Sequence, residues 1–352
     1  MSKLNSKFSR ILNYTSDTLI TYCPSYIDKN RISGHLFEIL DYFLLLKENG
    51  IQCKILLLED IDLDMLLEAY RDKLKPEFFI KYFSNEVLSK NIIINNFAAL
   101  LKKSSKNKQS SVKLNIIAKN IIVTGGLQNK NRINFIAKEK VIYLRCDPNH
   151  KYYLSKKEYL LYDMRVYNEK RFPVPELTFN DQKDNLHTRH YIKKFFFDAY
   201  RESVSIISSS HKTYAIYLNS TLKKVSINSL KDIQKKYYPN HILFISGDST
   251  LIKDPEFNDL VKEGSLVKGP VFNLIEKVDG FIYTGTTRDF DCSPRLITEM
   301  KFYNKEILFE IDEKYGDRDP GFYFRYIDTL LDIEKLRLKD NDLVLRLIQN
   351  KE

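Results

Sequence analysis

Two side chains in the stretch YTGTTRDFDCSPRLITEM (283–300), Arg295 and Glu299, have types and spacing that suit nucleotide binding. Residues four apart lie on the same face of a helix, so a helix here would present both groups together. A guanidinium pairs with a diphosphate through forked hydrogen bonds, and a carboxylate can accept hydrogen bonds from both hydroxyls of a ribose. The same spacing also suits an ordinary surface salt bridge, so spacing alone leaves both interpretations open.

The same stretch predicts where that helix begins. Ser293 is a favourable N-cap residue, and Pro294 suits the first helical position. The preceding run, DGFIYTG (279–285), has the apolar character of a strand. A helix that follows such a strand directs free backbone N–H groups at the strand's carboxyl end, where an anion can bind.

Two further loops contain weaker candidates for holding a nucleotide. In YLNSTLKK (217–224), Ser220 offers a hydroxyl and Lys223 a cation to a phosphate. In FISGDST (244–250), the backbone around Gly247 could frame a nucleobase. Polar loops are common after strands, so neither loop is diagnostic by itself.

Asp147 ends the strand-like run of VIYLRCDPNH (141–150) and is the candidate general base. An aspartate there can remove the proton from an acceptor hydroxyl as its oxygen attacks the anomeric carbon of a sugar. An Asp-Pro step also forms turns, which is the alternative role. His35 follows Gly34 at the start of the first predicted helix, and it is either a cleft donor or a helix-start residue.

The strands and helices that position these residues alternate along the sequence. This alternation predicts an α/β fold. The N-terminal half begins with a strand, a helix and a second strand, which indicate a parallel sheet. These elements are DTLITYC (17–23), HLFEILDYFLLLKENG (35–50) and IQCKILLLED (51–60). Later strands are NIIVTGG (120–126) and KVIYLRCD (140–147), with a short helical stretch between them, and HTRHYIKKFFFDAYRE (187–202) is predicted to be helical.

The alternation restarts in the C-terminal half, which predicts a second doubly wound, Rossmann-like domain. Its strands are TYAIYLNS (213–220), HILFISGD (241–248), DGFIYTG (279–285) and KEILFEID (305–312), with helices that include SINSLKDIQKKYY (226–238) and SPRLITEMKFYN (293–304). Ligands of such sheets bind at the carboxyl ends of the strands, so the loops that follow are expected to line one crevice. The predicted domains are 1–211 and 212–335, and a helix over 336–352 is expected to pack back on the first domain.

Composition limits the partners and the compartment. The net charge of +10 predicts a polyanionic partner such as nucleic acid, or an anionic nucleotide, although a lysine-rich composition throughout the chain is an equal alternative. No apolar run approaches the ~20 residues of a membrane span, and MSKLNSKFSRILNY lacks the apolar region of a secretion signal. We therefore expect a cytoplasmic protein without stable membrane insertion.

Motif absences narrow the chemistry further. The 4 cysteines have no CxxC spacing, which predicts reduced thiols rather than a zinc site or a disulfide framework. No Walker A sequence and no GxGxxG follow a strand, which disfavours a P-loop NTPase or an ordinary dinucleotide oxidoreductase.

The order of these motifs resembles that of the GT-B glycosyltransferases, in which two Rossmann-like domains face a central cleft. It is similar in particular to the T-even bacteriophage DNA glucosyltransferases of the β-glucosyltransferase type. The matching segments are HLFEILDYFLLLKENGIQCKILLL, KVIYLRCDP, AIYLNST, HILFISGD and FIYTGTTRDFDCSPRLITEMKFYNKEILFEIDEKY. The resemblance implies an acceptor-binding domain over 1–211 and a nucleotide-sugar-binding domain over 212–335.

The resemblance also implies an activity, the transfer of a sugar from a UDP-sugar to a hydroxymethylated pyrimidine in double-stranded DNA. The implied roles are Asp147 as base, Ser220 and Arg295 on the diphosphate, Gly247 near the uracil and Glu299 on the ribose. Two departures separate the chain from that pattern. Three residues lie between Arg295 and Glu299 where the family has two, and Leu222 stands where an arginine is expected, for which Lys223 or Lys224 would substitute. The donor sugar is therefore not fixed as glucose.

Several alternatives stay open. Asp291 and Glu299 are eight apart and resemble the paired acids of retaining GT-B enzymes, so inversion through Asp147 is favoured without excluding retention. Asp291 with Glu313 could hold a divalent ion near the diphosphate, although no metal site is predicted. The basic loop 102–108 would contact DNA phosphates or is simply solvated. A cell-surface glycan or lipid-linked acceptor is the alternative substrate, and a non-catalytic nucleotide- or nucleic-acid-binding protein is the third hypothesis.

Overall fold

A computed structural model of the chain forms two compact units. It describes residues 9–22, 34–97, 99–100, 113–124, 132–145, 158–162, 188–190, 196–202, 210–217, 227–246, 266–268, 275–286, 295–312 and 341–350. The first unit comprises Met1–Tyr200 with Leu336–Glu352, and the second comprises Arg201–Lys335.

The first unit is built on a sheet of 8 strands, all of which pair in parallel. They are β1 (Ser9–Tyr22), β2 (Cys53–Leu57), β3 (Ile92–Ile94), β4 (Lys113–Thr124), β5 (Ile133–Ala137), β6 (Val141–Arg145), β7 (Glu158–Tyr162) and β8 (Thr188–His190). Their order across the sheet is β3-β2-β1-β4-β6-β7-β8, and β5 also pairs with β4.

The helices of this unit cover the sheet. Helix α1 (Gly34–Glu48) connects β1 to β2, and its residues from Glu38 to Leu46 are all buried. It ends where Gly50 adopts a φ of 70°, a conformation that glycine reaches without a steric penalty. Between β2 and β3 lie α2 (Leu63–Arg71), α3 (Pro76–Phe83) and α4 (Asn85–Asn91), and α7 (Asn341–Ile348) belongs to the same unit. Asp62 caps α2 by accepting a hydrogen bond from the backbone N–H of Met65 at 3.0 Å.

The pairing of the central strands changes at a common level. The register of β1 with β4 shifts between Tyr14 and Thr18, and β5 and β6 pair with successive parts of β4. At this level the buried Asn120 donates to Oγ1 of Thr18 at 3.4 Å and accepts from the backbone N–H of Lys140 at 3.2 Å. On the amino-terminal side of this level lie three paired strand segments, which we call the extension: Ser9–Tyr14, Lys113–Ala118 and Ile133–Ala137.

The second unit contains a smaller parallel sheet. Its strands are β9 (Thr213–Tyr217), β10 (His241–Ser246), β11 (Leu266–Lys268), β12 (Gly280–Thr286) and β13 (Glu306–Asp312), with helices α5 (Ile227–Tyr237) and α6 (Arg295–Phe302). The order β11-β10-β9-β12-β13 places β9 and β12 side by side, although much of the unit separates them in sequence. The direction of strand progression reverses at this pair, which is where doubly wound sheets bind ligands.

These two parallel sheets confirm the predicted α/β class. Two predictions of local structure were wrong. The stretch expected to be helical between 126 and 140 contains β5, because Ile133 and Phe135 alternate with exposed residues and pair with β4. In the described residues of the helix expected over 187–202, the structure has β8 and a short 3-10 helix (Phe197–Ala199). The Ala199 carbonyl accepts a hydrogen bond from the backbone N–H of Lys75 at 2.9 Å, so packing holds this part in a turn.

Candidate functional site

Helix α6 follows β12 and carries two of the residues that the sequence singled out. Arg295 is its first residue, and Glu299 lies one turn later. The Glu299 side chain is buried, with 4% of the residue exposed. The structure describes Arg295 only as a helical position, and Ser293 and Pro294 lie outside the described residues. A buried carboxylate on this helix is screened little by water, so a charged hydrogen bond that it accepts is stronger than one at the surface.

Packing and a defined C-terminal cap hold α6 in place. Met300 is completely buried in a cluster with Phe281 of β12. The helix ends in a Schellman motif, in which Asn304 has a φ of 54° and donates to the Lys301 carbonyl. The backbone N–H of Lys305 donates to the Met300 carbonyl at 2.9 Å. These contacts fix the rotation of α6 and therefore keep Glu299 inside.

Hydrogen bonds hold together the amino ends of the strands in the second unit. The backbone N–H of Thr213 donates to the Asp279 carboxylate at 2.7 Å, and the Asp279 N–H donates to the Thr213 carbonyl at 2.8 Å. Lys305 is buried and its ammonium donates to the Val278 carbonyl at 2.8 Å; burial lowers its pKa. A Cβ at Gly280 would lie 2.7 Å from the Glu306 carbonyl oxygen, so only glycine fits there. Structural bonds and close packing therefore hold the described amino ends of β9, β12 and β13.

The remaining donor-site candidates follow neighbouring strands of this sheet. Ser220 and Lys223 come after β9, and Gly247 comes directly after β10. These three residues lie outside the described part of the chain. Strands β10, β9 and β12 are adjacent and parallel, so their carboxyl ends lie at one edge of the sheet.

The carboxyl edge of the first sheet contains buried hydroxyls that the sequence did not single out. Tyr22 and Thr124 are the last residues of β1 and β4 and are register partners. They are 1% and 0% exposed; the Thr124 hydroxyl makes no hydrogen bond to any group in the described part of the chain, and the Tyr22 hydroxyl lies beside the buried carboxylate of Glu59. Burial, followed by the charge of Glu59, raises the pKa of Tyr22. Uncompensated burial of a hydroxyl is costly, so this edge is suited to a polar ligand or ordered water.

Asp147 and His35 are the other two candidate site residues of the first unit. Asp147 lies outside the described residues, two positions after the end of β6. Leu144 of β6 is the register partner of Thr124, so the end of β6 lies beside the end of β4. His35 lies in the first turn of α1, and its Nδ1 is 3.4 Å from Oε2 of the buried Glu38. His35 therefore has at least one structural partner.

The described residues also bear on the expectations about metal ions, cysteines and membrane-spanning helices. No group of three His, Cys, Asp or Glu side chains there could hold a metal ion, and Asp291 and Glu313 lie outside them. Cys53 is a buried free thiol, whose pKa burial raises to about 12, while the other cysteines lie outside the described part. No helix of the described residues has the length and apolarity to cross a bilayer.

Comparison with known proteins gives fold-level similarity at low identity. No protein-family model matches the chain, and no curated protein matches it. The structure of Anabaena Alr3699/HepE in complex with UDP and glucose is 10% identical over 91% of each chain, with a TM-score of 0.46. The structure of TarM is 9% identical over 96% of each chain, also with a TM-score of 0.46. A Rickettsia africae glycosyltransferase is 12% identical over 96% of this chain and 94% of its own, with a TM-score of 0.38. Similarity at this level assigns neither an activity nor a substrate to this chain.

Proposed function

We propose that this chain is a glycosyltransferase that uses a UDP-sugar donor. The observation that carries the proposal is the second sheet, in which β10, β9 and β12 lie side by side and α6 places a buried Glu299 one turn after Arg295. Adjacent parallel strands direct the polar segments that follow them to one edge. The resemblance of the motif order to GT-B enzymes supports the same interpretation.

In the proposed donor site each group meets a different part of UDP. Arg295 and Ser220 bind the diphosphate and stabilise its growing negative charge as the glycosidic bond breaks. Lys223 adds a point charge next to Leu222, which stands where the enzymes that the chain resembles have an arginine, and Gly247 lies near the uracil. Glu299 accepts hydrogen bonds from the ribose hydroxyls.

The proposed reaction is a direct displacement with Asp147 as the general base. Asp147 takes the proton of an acceptor hydroxyl while the oxygen attacks the anomeric carbon, and UDP leaves with the bonding electrons. The buried Thr124 hydroxyl supports an acceptor at the same edge, because a hydroxyl-bearing molecule could satisfy it. In the retaining alternative, Asp291 and Glu299 take part instead of Asp147.

For the acceptor, the sequence resemblance favours a hydroxymethylated pyrimidine in double-stranded DNA, and the net charge of +10 suits a polyanion. The target nucleotide would have to be flipped out of the stack to reach Asp147. A lipid-linked or cell-surface glycan is the second candidate, and one specific observation favours it. The extension of the first sheet exposes Ile11 and Ile136, at 62% and 45%, which suits a lipid surface better than DNA.

The donor is tested by thermal unfolding of the full chain in the presence of different nucleotide sugars. UDP-glucose is the first to test, since one Alr3699/HepE structure holds it. A ligand at 100 times its Kd should stabilise the protein by about 2.7 kcal/mol. If no UDP-sugar stabilises the protein or is hydrolysed, a binding protein without transferase activity replaces the proposal.

The base and the acceptor need separate experiments. Asp147→Asn should abolish transfer while donor-dependent stabilisation persists, and Asp198→Asn, a change at an exposed aspartate of the same unit, is the matched control. Full transfer by Asp147→Asn would exclude Asp147 as the base. Retention of the protein on duplex DNA at moderate salt supports the DNA acceptor, and absence of retention favours the glycan.

A further inference from the structure

The extension of the first sheet has one buried and one exposed face. Leu114 and Ile116 of β4 and Ile133 and Phe135 of β5 point into the core, at 9% exposure or less. The alternate residues point the other way, because successive side chains of a strand lie on opposite faces. We call this second surface the outward face.

The middle of the outward face combines aliphatic and amide side chains. Its two central rows align Ile11 with Asn115 and Asn134, and Asn13 with Ile117 and Ile136. Ile11 is 62% exposed and Ile136 45% exposed. Asn134 donates to Oδ1 of Asn115 at 2.8 Å, which ties neighbouring strands together across the surface. An exposed aliphatic group on a stable sheet gains free energy when a partner removes it from water.

Cations frame these rows at both ends. Lys113 lies beside Arg132 at the start of the paired segments, because the Leu114 N–H donates to the Arg132 carbonyl at 2.9 Å. Lys119 and Lys138 lie at the other end, where the Lys138 N–H donates to the Ala118 carbonyl. Lys119 contacts Glu139 at 3.6 Å, at the border of the face. Within the three described strand segments, none of the outward residues is acidic.

We propose that the outward face binds the surface of a bilayer that contains anionic lipids. Lysine and arginine stems can lie along the apolar boundary while their charges pair with headgroup phosphates. The exposed isoleucines would enter the same boundary, and the amides can hydrogen-bond to headgroups. The face spans three strands and about five residues, or roughly 10 by 17 Å, so the attachment is weak and reversible.

Other occupants fit the outward face less well. Single-stranded nucleic acid is held by aromatic side chains that stack on bases, and the described residues of this face include no aromatic group. A second copy of the same face would bring the Lys113 and Arg132 side chains near like charges, and none of the outward residues of the three described strand segments is acidic. An anionic bilayer uses the cations and the isoleucines together.

The outward face and the proposed active-site residues of the first unit lie at opposite ends of the sheet. The extension lies at the amino ends of β1 and β4, whereas Tyr22 and Thr124 mark the carboxyl ends. Membrane attachment therefore does not require any residue of the proposed active site. It can fail while the transferase proposal holds, and the reverse is also true.

The experiment is co-flotation of the purified full chain with vesicles of phosphatidylcholine alone or of phosphatidylcholine mixed with phosphatidylglycerol. We expect wild-type protein to float with the mixed vesicles and not with phosphatidylcholine alone. Lys113→Gln with Arg132→Gln should weaken binding about thirtyfold, since each basic residue near an anionic surface contributes about 1 kcal/mol. Ile11→Ser with Ile136→Ser should weaken binding with little loss of stability, because both side chains are exposed.

Matched controls use exposed residues away from this face. Ile80→Ser changes an isoleucine of α3 that is 69% exposed. Lys90→Gln with Lys235→Gln removes two charges from exposed positions on α4 and α5. Both controls should float like wild type, and all variants should keep the stabilisation by a UDP-sugar.

Three results would overturn the proposal. Wild-type protein could fail to float with the anionic vesicles, or the variants of the face could float as well as their controls. Loss of duplex DNA retention in Lys113→Gln with Arg132→Gln, with vesicle binding unchanged, would make the face a nucleic-acid surface instead.

Discussion

The ribose role of Glu299 can be tested by comparing two nucleotides rather than by measuring activity. If the carboxylate accepts hydrogen bonds from both ribose hydroxyls, wild-type protein should prefer UDP to 2′-deoxy-UDP. Glu299→Gln should lose affinity for UDP and should also lose most of that preference. Calorimetric titration of both nucleotides into both proteins measures the four affinities.

The magnitude follows from the burial of the carboxylate. Glu299 is only 4% exposed, so water screens its hydrogen bonds little. A hydrogen bond to a charged group contributes about 1.5–3 kcal/mol, against about 0.5–1.5 kcal/mol for a neutral one. Neutralising the acceptor of two such bonds should therefore cost about 2–3 kcal/mol, or about 30- to 150-fold in the Kd of UDP. For 2′-deoxy-UDP, which keeps one of the hydroxyls, the loss should be about half as large in free energy.

Glu310→Gln is the matched control. Glu310 is a partly buried glutamate of the same sheet, and its carboxylate accepts hydrogen bonds from Lys236 and Tyr237. Its substitution should leave both affinities unchanged. Equal losses for UDP and 2′-deoxy-UDP in Glu299→Gln, or a loss of folding stability without any loss of affinity, would refute the ribose assignment and favour a structural role.

Two further predictions concern the amino edge of the second sheet. Gly280→Ala should destabilise the protein by about 1–3 kcal/mol, because its Cβ would lie 2.7 Å from the Glu306 carbonyl oxygen and 2.8 Å from the Tyr214 ring. Urea unfolding measures the loss. An unchanged urea concentration at the unfolding midpoint would show that β13 can move away. Hydrogen bonds from Lys212, and next from Tyr214, lower the pKa of Glu306 from its ordinary 4.5. The Glu306 carboxylate therefore stabilises the folded protein fully above pH 4.5, and this contribution is lost as the pH falls through the lower pKa of the folded state. Glu306→Gln should make stability depend less steeply on pH in that acid range, as urea unfolding at a series of pH values can measure, and an identical slope would show that Glu306 does not contribute.

The strands of both sheets were predictable wherever an apolar run is bounded by turn residues. The run HILFIS, for example, is β10 (His241–Ser246). Strand β5 was missed because its five residues lie in a segment rich in lysine and asparagine, and only pairing with β4 makes it a strand. The segment around Phe197 was predicted as a helix because its apolar residues suit one, but burial against other parts of the first unit determines its form. The pairing of β5 with β4 and the burial of Phe197 are long-range contacts, which the local sequence pattern does not specify.

The sequence predicted which elements carry the candidate site residues, but not how those residues are buried. The spacing of Arg295 and Glu299 placed both on one helix, but the burial of Glu299 depends on how α6 packs against β12 and β13, which spacing does not specify. Tyr22 and Thr124 gave no signal, since each simply ends an apolar run. They become neighbours only because β1 and β4 pair across a separation of about a hundred residues.

The opposed ends of the second sheet have a consequence for evolution. The amino edge is held by the Thr213 and Asp279 hydrogen bonds, by the buried Lys305 and by the close contact at Gly280. The proposed donor contacts all follow the carboxyl ends. Under the proposed function, substitutions in the loops there can change which nucleotide sugar is accepted without weakening the bonds that hold the strands in register. A lineage built on this sheet could therefore diversify its donors while keeping its framework, and selection for stability and for specificity would act on different residues.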